Sequence, residues 1–227
     1  MNGWTDKFLG VVSPHICKGC NASGALLCDR CIIDILDNGF IWCVKCGQMT
    51  KGANMCSGCC RSSSFKQVWA VGWRQKNLRR LVGDYKYNSE RAAAKIVARL
   101  LDKRLPTLPI DTVIVPIPTI SSHVRQRGFD HMKLVAKELS KQRGLKCMPR
   151  LLLRQTNTVQ HKLGSKARIA AAEQVFAINP RAKIPNAILL LDDIWTTGAT
   201  MTAAARLLKD SGARNIIGAV VAVQPKK

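Results

Sequence analysis

Acids and aromatic rings are scarce in this chain. Only 14 Asp and Glu accompany 36 Lys and Arg, which leaves a formal net charge of +22 and an isoelectric point near 10.1. Such a balance is extreme for a small-molecule enzyme and fits contact with nucleic acid, nucleotides or other polyanions, although basic residues spread over a surface also serve solubility. Aromatic residues, at 5%, fall short of the composition of a dedicated single-strand binder, which stacks bases on rings. No apolar run reaches the length that spans a bilayer, and the apolar run near Met1 is too short for a secretory signal. The expected setting is therefore cytoplasmic, without membrane insertion. A hydrophobic content of 47% over 227 residues excludes disorder and suffices for a real core, in one medium domain or one with a small appendage.

Cysteine is the residue in surplus, with ten in the chain. In a reducing compartment paired thiols point to metal rather than to disulfides. Eight of them form four C-x-x-C pairs: Cys17 and Cys20, Cys28 and Cys31, Cys43 and Cys46, Cys56 and Cys59. Each pair can turn both thiolates toward one tetrahedral ion, and a segment this small needs such a staple to fold. Two structural zinc sites of four thiolates each are expected; an iron–sulfur cluster or a redox dithiol would use the same ligands. Sequential pairing closes shorter loops than a cross-braced arrangement and is preferred on loop entropy. Cys60 and Cys147 read as bystanders. The cysteines stop near Arg61 to Ser64, which predicts a zinc-binding domain over 1–62 and a second domain over 63–227.

The second region is organised around Ile188 to Thr202. An unbroken apolar run reads as a buried parallel strand, and ligands of such sheets sit at the strands' carboxyl ends. There the run breaks into Asp192 and Asp193. A turn with Thr196, Thr197, Gly198, Ala199 and Thr200 follows, with free amides at the start of the next helix, which is the composition of a phosphate cradle. Acids beside an anion site make sense for a ligand with hydroxyls and phosphate, such as a sugar phosphate. The plainer alternative is a strand ending in capping residues. Elsewhere the pattern predicts a strand over 67–73, a polar turn over Gly83 to Ser89, a helix over 90–101, a strand over 112–115, a helix over about 130–141, and a closing helix and strand over 201–211 and 216–223. The strand at 112–115 exits through Pro116-Ile-Pro118-Thr119 into a basic loop with Ser121, Ser122, Arg125 and Arg127, which reads as a polyanion contact or a plain basic surface.

The stretch from Ile188 to Thr200 resembles the phosphoribosyl pyrophosphate (PRPP) signature of type I phosphoribosyltransferases. Together with Pro116-Ile-Pro118, Arg127-Gly-Phe-Asp130, Leu152-Leu-Arg154-Gln-Thr, Gln160, Leu163, Arg168, Phe176, Asp84-Tyr-Lys86-Tyr and the cysteine-rich head, the chain resembles the ComF family of competence-associated proteins over nearly its whole length. It departs from many relatives in carrying eight paired cysteines where they have four. The resemblance implies an α/β fold with a parallel sheet flanked by helices, PRPP as ligand and Mg²⁺ as cofactor. It implies Asp192 and Asp193 under the ribose, Thr196 to Thr200 on the 5′-phosphate, Arg125 or Arg127 at the diphosphate, and Pro118 and Thr119 among the residues that bind PRPP. Lys162, Lys166 and Arg168 would reach over the site from the polar stretch after Arg154, unless they form a solvated face; His161 has no implied role. Two functions follow: transfer of phosphoribose to an unidentified nitrogen acceptor, or a non-catalytic PRPP-binding protein that contacts single-stranded DNA and the competence machinery. Little chain remains after the last strand to recognise an acceptor, so the head and the Trp69 to Tyr87 segment are the places for that task.

Overall fold

The computed structural model describes residues 16–37, 40–87, 93–155 and 175–225. In chain order these form α1 (Asp29–Asp37), α2 (Ser57–Arg61), β1 (Gln67–Trp73), α3 (Lys76–Tyr87), α4 (Ala93–Arg104), β2 (Val113–Pro116), α5 (Ser121–Arg127), α6 (His131–Arg143), β3 (Lys146–Cys147), β4 (Leu152–Arg154), β5 (Phe176–Ile178), β6 (Ala187–Trp195), α7 (Ala199–Asp210) and β7 (Asn215–Val223). Five strands make one parallel sheet in the order β1-β7-β6-β2-β3, and β4 pairs with β5 as a separate antiparallel ribbon. The expected α/β architecture is thus observed. Among the described residues no helix is long and apolar enough to cross a membrane.

Strand periodicity divides the core. Leu189 and Leu191 of β6 join the cluster formed with α4 and α6, whereas Ile188 and Leu190 join the cluster formed with α7 and the β4-β5 ribbon. The cysteine-rich head enters both. Cys17, Leu26, Cys31 and Ile35 pack with Val71 on the first face, and Phe40, Cys43, Val44 and Met55 pack with Val68 and Ala70 on the second. The head therefore straddles β1, an edge strand whose outer amides and carbonyls would otherwise be left unpaired. Asn54, fully buried, closes that edge: its amide donates to the Val68 carbonyl at 2.7 Å, and its side-chain oxygen accepts from the Ala70 amide at 2.9 Å. Arg104 donates to the Ala70 carbonyl at 3.1 Å and the Phe40 carbonyl at 2.6 Å.

Three local expectations change. Gly83 and the residues after it, expected as a polar turn, continue α3 to Tyr87, because Leu78, Leu81 and Val82 are buried and stabilise a helix whose sequence is otherwise polar. The basic loop after β2 contains the short helix α5, closed by Gly128 in the left-handed conformation at φ 75°. The strand that carries the paired acids does not end at them but runs on to Trp195, which stays paired with Val223.

Candidate functional site

The order of the strands locates a crevice. From β2 the chain moves outward to β3 on one side, and from β6 it moves outward to β7 on the other, so β2 and β6 are the adjacent strands at which the winding reverses. A crevice opens at the carboxyl ends of such a pair and is where ligands of open parallel sheets bind. Both loops singled out in the sequence meet there, with the Ile117 amide donating to the Leu191 carbonyl at 2.8 Å just before the acids.

The two carboxylates have different surroundings. Asp193 approaches α6, where its Oδ2 lies 2.5 Å from Nε2 of the buried His131. An Arg127 nitrogen is 3.3 Å from His131 Nδ1. Since a guanidinium only donates, Nδ1 accepts and the Nε2 proton is directed at Asp193. Thr119 joins by donating to Asp130 Oδ1 at 3.0 Å, and Asp130 caps α6 by accepting from the Lys133 amide. Asp192 accepts from the Asp193 amide at 2.9 Å and lies near Arg154. Burial pushes the Arg154 pKa down and the charge of Asp192 partly offsets this. Arg154 also donates to the Pro118 carbonyl at 3.2 Å and stacks over Phe176 with its guanidinium carbon 5.4 Å from the ring centre, so it ties the β4-β5 ribbon to the crevice.

The turn after β6 is shaped by Trp195. Gly198 takes φ 79°, and a Cβ there would fall inside the Trp195 indole. Only glycine fits. Thr196 and Thr197 are exposed, Thr197 Oγ1 accepts from the Ala199 amide at 3.3 Å, and Ala199 and Thr200 open α7 with first-turn amides that have no intrahelical acceptor. Beside the crevice a cavity of about 320 Å³ is lined by Pro118, Thr119 and Ser121, by the cations Arg125, Lys133, Arg150 and Arg154, and by Asp130, which pairs with Lys133 at 3.4 Å. The structure thus gathers Pro118, Thr119, Arg127, Asp192, Asp193 and the Thr196–Thr200 turn at neighbouring loop ends, with Arg125 in the adjoining cavity. His161, Lys162, Lys166 and Arg168 lie outside the described residues, although the ends of that segment meet where Gln155 donates to the Val175 carbonyl at 3.1 Å. Two participants escaped the sequence reading. Arg154 stood within a recognised motif but without a role, and His131 had no signal beyond its place after a helix-capping Asp.

The paired cysteines form two groups, Cys17, Cys20, Cys28, Cys31 and Cys43, Cys46, Cys56, Cys59, with the ligand atoms of each within 4.8 Å of one another. This is the sequential pairing expected from loop length. Cys20 and Cys28 place their sulfurs 3.6 Å apart and Cys46 and Cys56 3.7 Å apart. Zn–S bonds of about 2.3 Å in a tetrahedron put sulfurs about 3.8 Å apart, so either group could hold a zinc ion. Amides of Gly19 and Cys28 donate to Cys17 Sγ at 3.4 and 3.3 Å, and the Cys56 amide donates to Cys43 Sγ at 3.4 Å. Burial pushes the Cys17 and Cys43 thiols up, but backbone donors outweigh it and bring both to about 6. Burial and neighbouring thiols push Cys31 and Cys59 to about 12. Four thiolates therefore do not coexist there without a cation to offset their charge. Cys60 hydrogen-bonds the Met55 carbonyl outside the second group, and Cys147 lies in β3.

Fold and site define a parallel α/β protein with a ligand crevice at its winding reversal and a head able to hold two metal ions. No family model matches the chain. Curated proteins do, and they bear out the resemblance drawn from the motifs: the chain is related over most of its length to competence proteins of the ComF type. It is 25% identical to Competence protein F of Haemophilus influenzae over 84% of this chain and 87% of that protein. It is also 25% identical to Competence protein ComFC of Streptococcus pneumoniae, over 84% of each. A third relative, the DNA utilization protein YhgH of Salmonella typhi, is 25% identical over 89% of this chain and 94% of its own length.

Proposed function

We propose that the crevice binds PRPP with Mg²⁺ and transfers its phosphoribosyl group to a nitrogen acceptor, in the service of competence and DNA uptake. The observation that carries this reading is the meeting, at the β2 and β6 ends, of two carboxylates, a Thr-Gly turn opening α7 and a cation-lined cavity. Carboxylates beneath a ribose accept its hydroxyl protons and stabilise positive charge developing on the ring. The turn amides and hydroxyls take the 5′-phosphate, and Arg125, Arg127 and Arg154 face the diphosphate. Asp192 and Asp193 would hold Mg²⁺, which would neutralise charge on the diphosphate. In the transfer the C1–N bond forms as the C1–O bond breaks, and its electron pair leaves on pyrophosphate, which takes up the proton lost by nitrogen.

Calorimetric titration of PRPP with Mg²⁺ into the zinc-loaded protein, beside a folded Asp192→Asn, Asp193→Asn double variant, tests the reading. Binding by the parent with at least tenfold loss in the variant is expected; a folded parent that gives no binding heat overturns it. The formal charge of +22 favours a second reading, a non-catalytic PRPP-binding protein that contacts single-stranded DNA. PRPP binding without pyrophosphate release in the presence of amines and nucleobases would select it.

A further inference from the structure

The transfer needs a place for the acceptor, and the crevice is furnished for a sugar phosphate. A separate cavity of about 320 Å³ lies beyond the carboxyl end of β1, walled by Asp34 and Ile35 of α1, by Trp73, and by Gln75, Lys76 and Asn77 at the start of α3. Its height matches the crevice, because Trp73 pairs with Val223 and Val223 pairs with Trp195, the residue that leads into the Thr-Gly turn. Two inter-strand spacings set it about 10 Å to the side, the reach of a ribose and the group attached to it.

The chemistry of this cavity differs from that of the cation-rich cavity beside the crevice. In a chain with a formal charge of +22, it combines one acid and one Lys with two primary amides, an indole and an aliphatic wall. That set suits a neutral ligand rather than an anion. Each amide offers a donor and an acceptor side by side, which matches the edge of a planar ring bearing ring nitrogens and exocyclic oxygen or amino groups. The volume, near the lower end for ligand sites, suits one such ring system.

The walls are held in place. Lys76, a non-glycine residue, is kept at φ 40°, a costly conformation that persists where surroundings impose it. Gln75 donates its amide to the Trp73 carbonyl at 2.8 Å, and Arg74 donates to Gln224 Oε1 at 2.9 Å. The Gln224 amide in turn donates to the Trp195 carbonyl at 2.9 Å, which links the cavity to the phosphate turn. A Cβ added at Gly19 would come within 3.1 Å of Asn77 Nδ2, so one of the two amides sits beside the first cysteine group.

We propose that this cavity is the acceptor subsite and takes a free nucleobase-like nitrogen heterocycle, read by Gln75, Asn77 and Asp34; the assignment rests on the PRPP reading of the crevice. The full zinc-loaded chain is titrated with adenine, guanine, cytosine and uracil, each alone and with PRPP and Mg²⁺, and followed by saturation-transfer NMR, while PRPP itself is followed by calorimetry. At least one base binds, and Gln75→Leu weakens it tenfold or more while PRPP affinity changes less than twofold. Asp34→Ala, at an exposed helix position, serves as the second variant. Absence of base binding in both conditions, or base binding that neither variant weakens, overturns the subsite. PRPP silence with base binding that Gln75→Leu abolishes keeps the cavity as a base site and overturns the transferase reading alone.

Discussion

The Asp193–His131–Arg127 chain puts a cation behind one of the two acids, so Asp193 is held from below while its strand neighbour Asp192 faces Arg154. Neither link was legible in the sequence. His131 and Asp193 are 62 positions apart, and only the packing of α6 on the sheet brings them to hydrogen-bond distance. The paired acids and the Thr-Gly turn were legible because their chemistry is contiguous in the chain. Gly198 is the residue at which geometry is least forgiving, since it needs a left-handed backbone and the space directly over Trp195. Gly198→Ala is expected to cost about 1–3 kcal/mol from overpacking, on top of the left-handed strain. It is also expected to lower PRPP affinity, because the turn can only accept the methyl by moving its amides. Urea denaturation reads the first effect and calorimetry the second. A variant of unchanged stability would show that the indole is not pressed against this turn.

Among the elements, the cap of α6 at Asp130 came only from the structure, but β6 and β7 were visible as apolar runs and α6 as a helix over about 130–141, because each of these signals is local. The continuation of α3 was not, since Gly83-Asp84 read alone is turn chemistry and the helix is decided by Leu78, Leu81 and Val82 burying against the first face. The closing of β1 was equally hidden. Nothing around Asn54 marks it as the partner of a strand edge, yet it substitutes for a neighbouring strand by bonding to Val68 and Ala70. Asn54→Ala leaves the buried Ala70 amide without its acceptor, a loss of about 1–3 kcal/mol. Native-state hydrogen exchange is the sharper readout. The Ala70 amide is expected to lose protection by an order of magnitude or more while β6 and β2 amides keep theirs beyond the global change. Equal loss in all strands would mean that Asn54 acts on overall stability and does not seal this edge.

At the scale of the whole molecule, the cysteine pairs were plain in the sequence but their use was not. Spacing describes two metal sites; it does not say that one packs on each face of the sheet, or that Cys17 and Cys31 share a cluster with Leu189 while Cys43 shares one with Leu190. This sharing has a thermodynamic consequence. A head with its own core would melt by itself when the metal is removed, leaving the sheet transition where it was. Here removal of bound zinc would loosen both faces of β1 and expose its edge, so head and sheet are expected to unfold together. Structural zinc contributes about 10–16 kcal/mol to folding in zinc-finger peptides near neutral pH. Even a third of the lower figure, at about 2–4 °C per kcal/mol for a chain of this size, lowers Tm by about 10 °C. Calorimetry of the zinc-loaded protein is expected to show one transition that moves down by at least this much after chelation and stays single. Cys17→Ser and Cys43→Ser should each halve the bound zinc and lower the same transition. A chelated protein whose main transition stays in place while a small early one appears would show instead that the head is an independent appendage, and that the sheet does not need it to keep β1 covered.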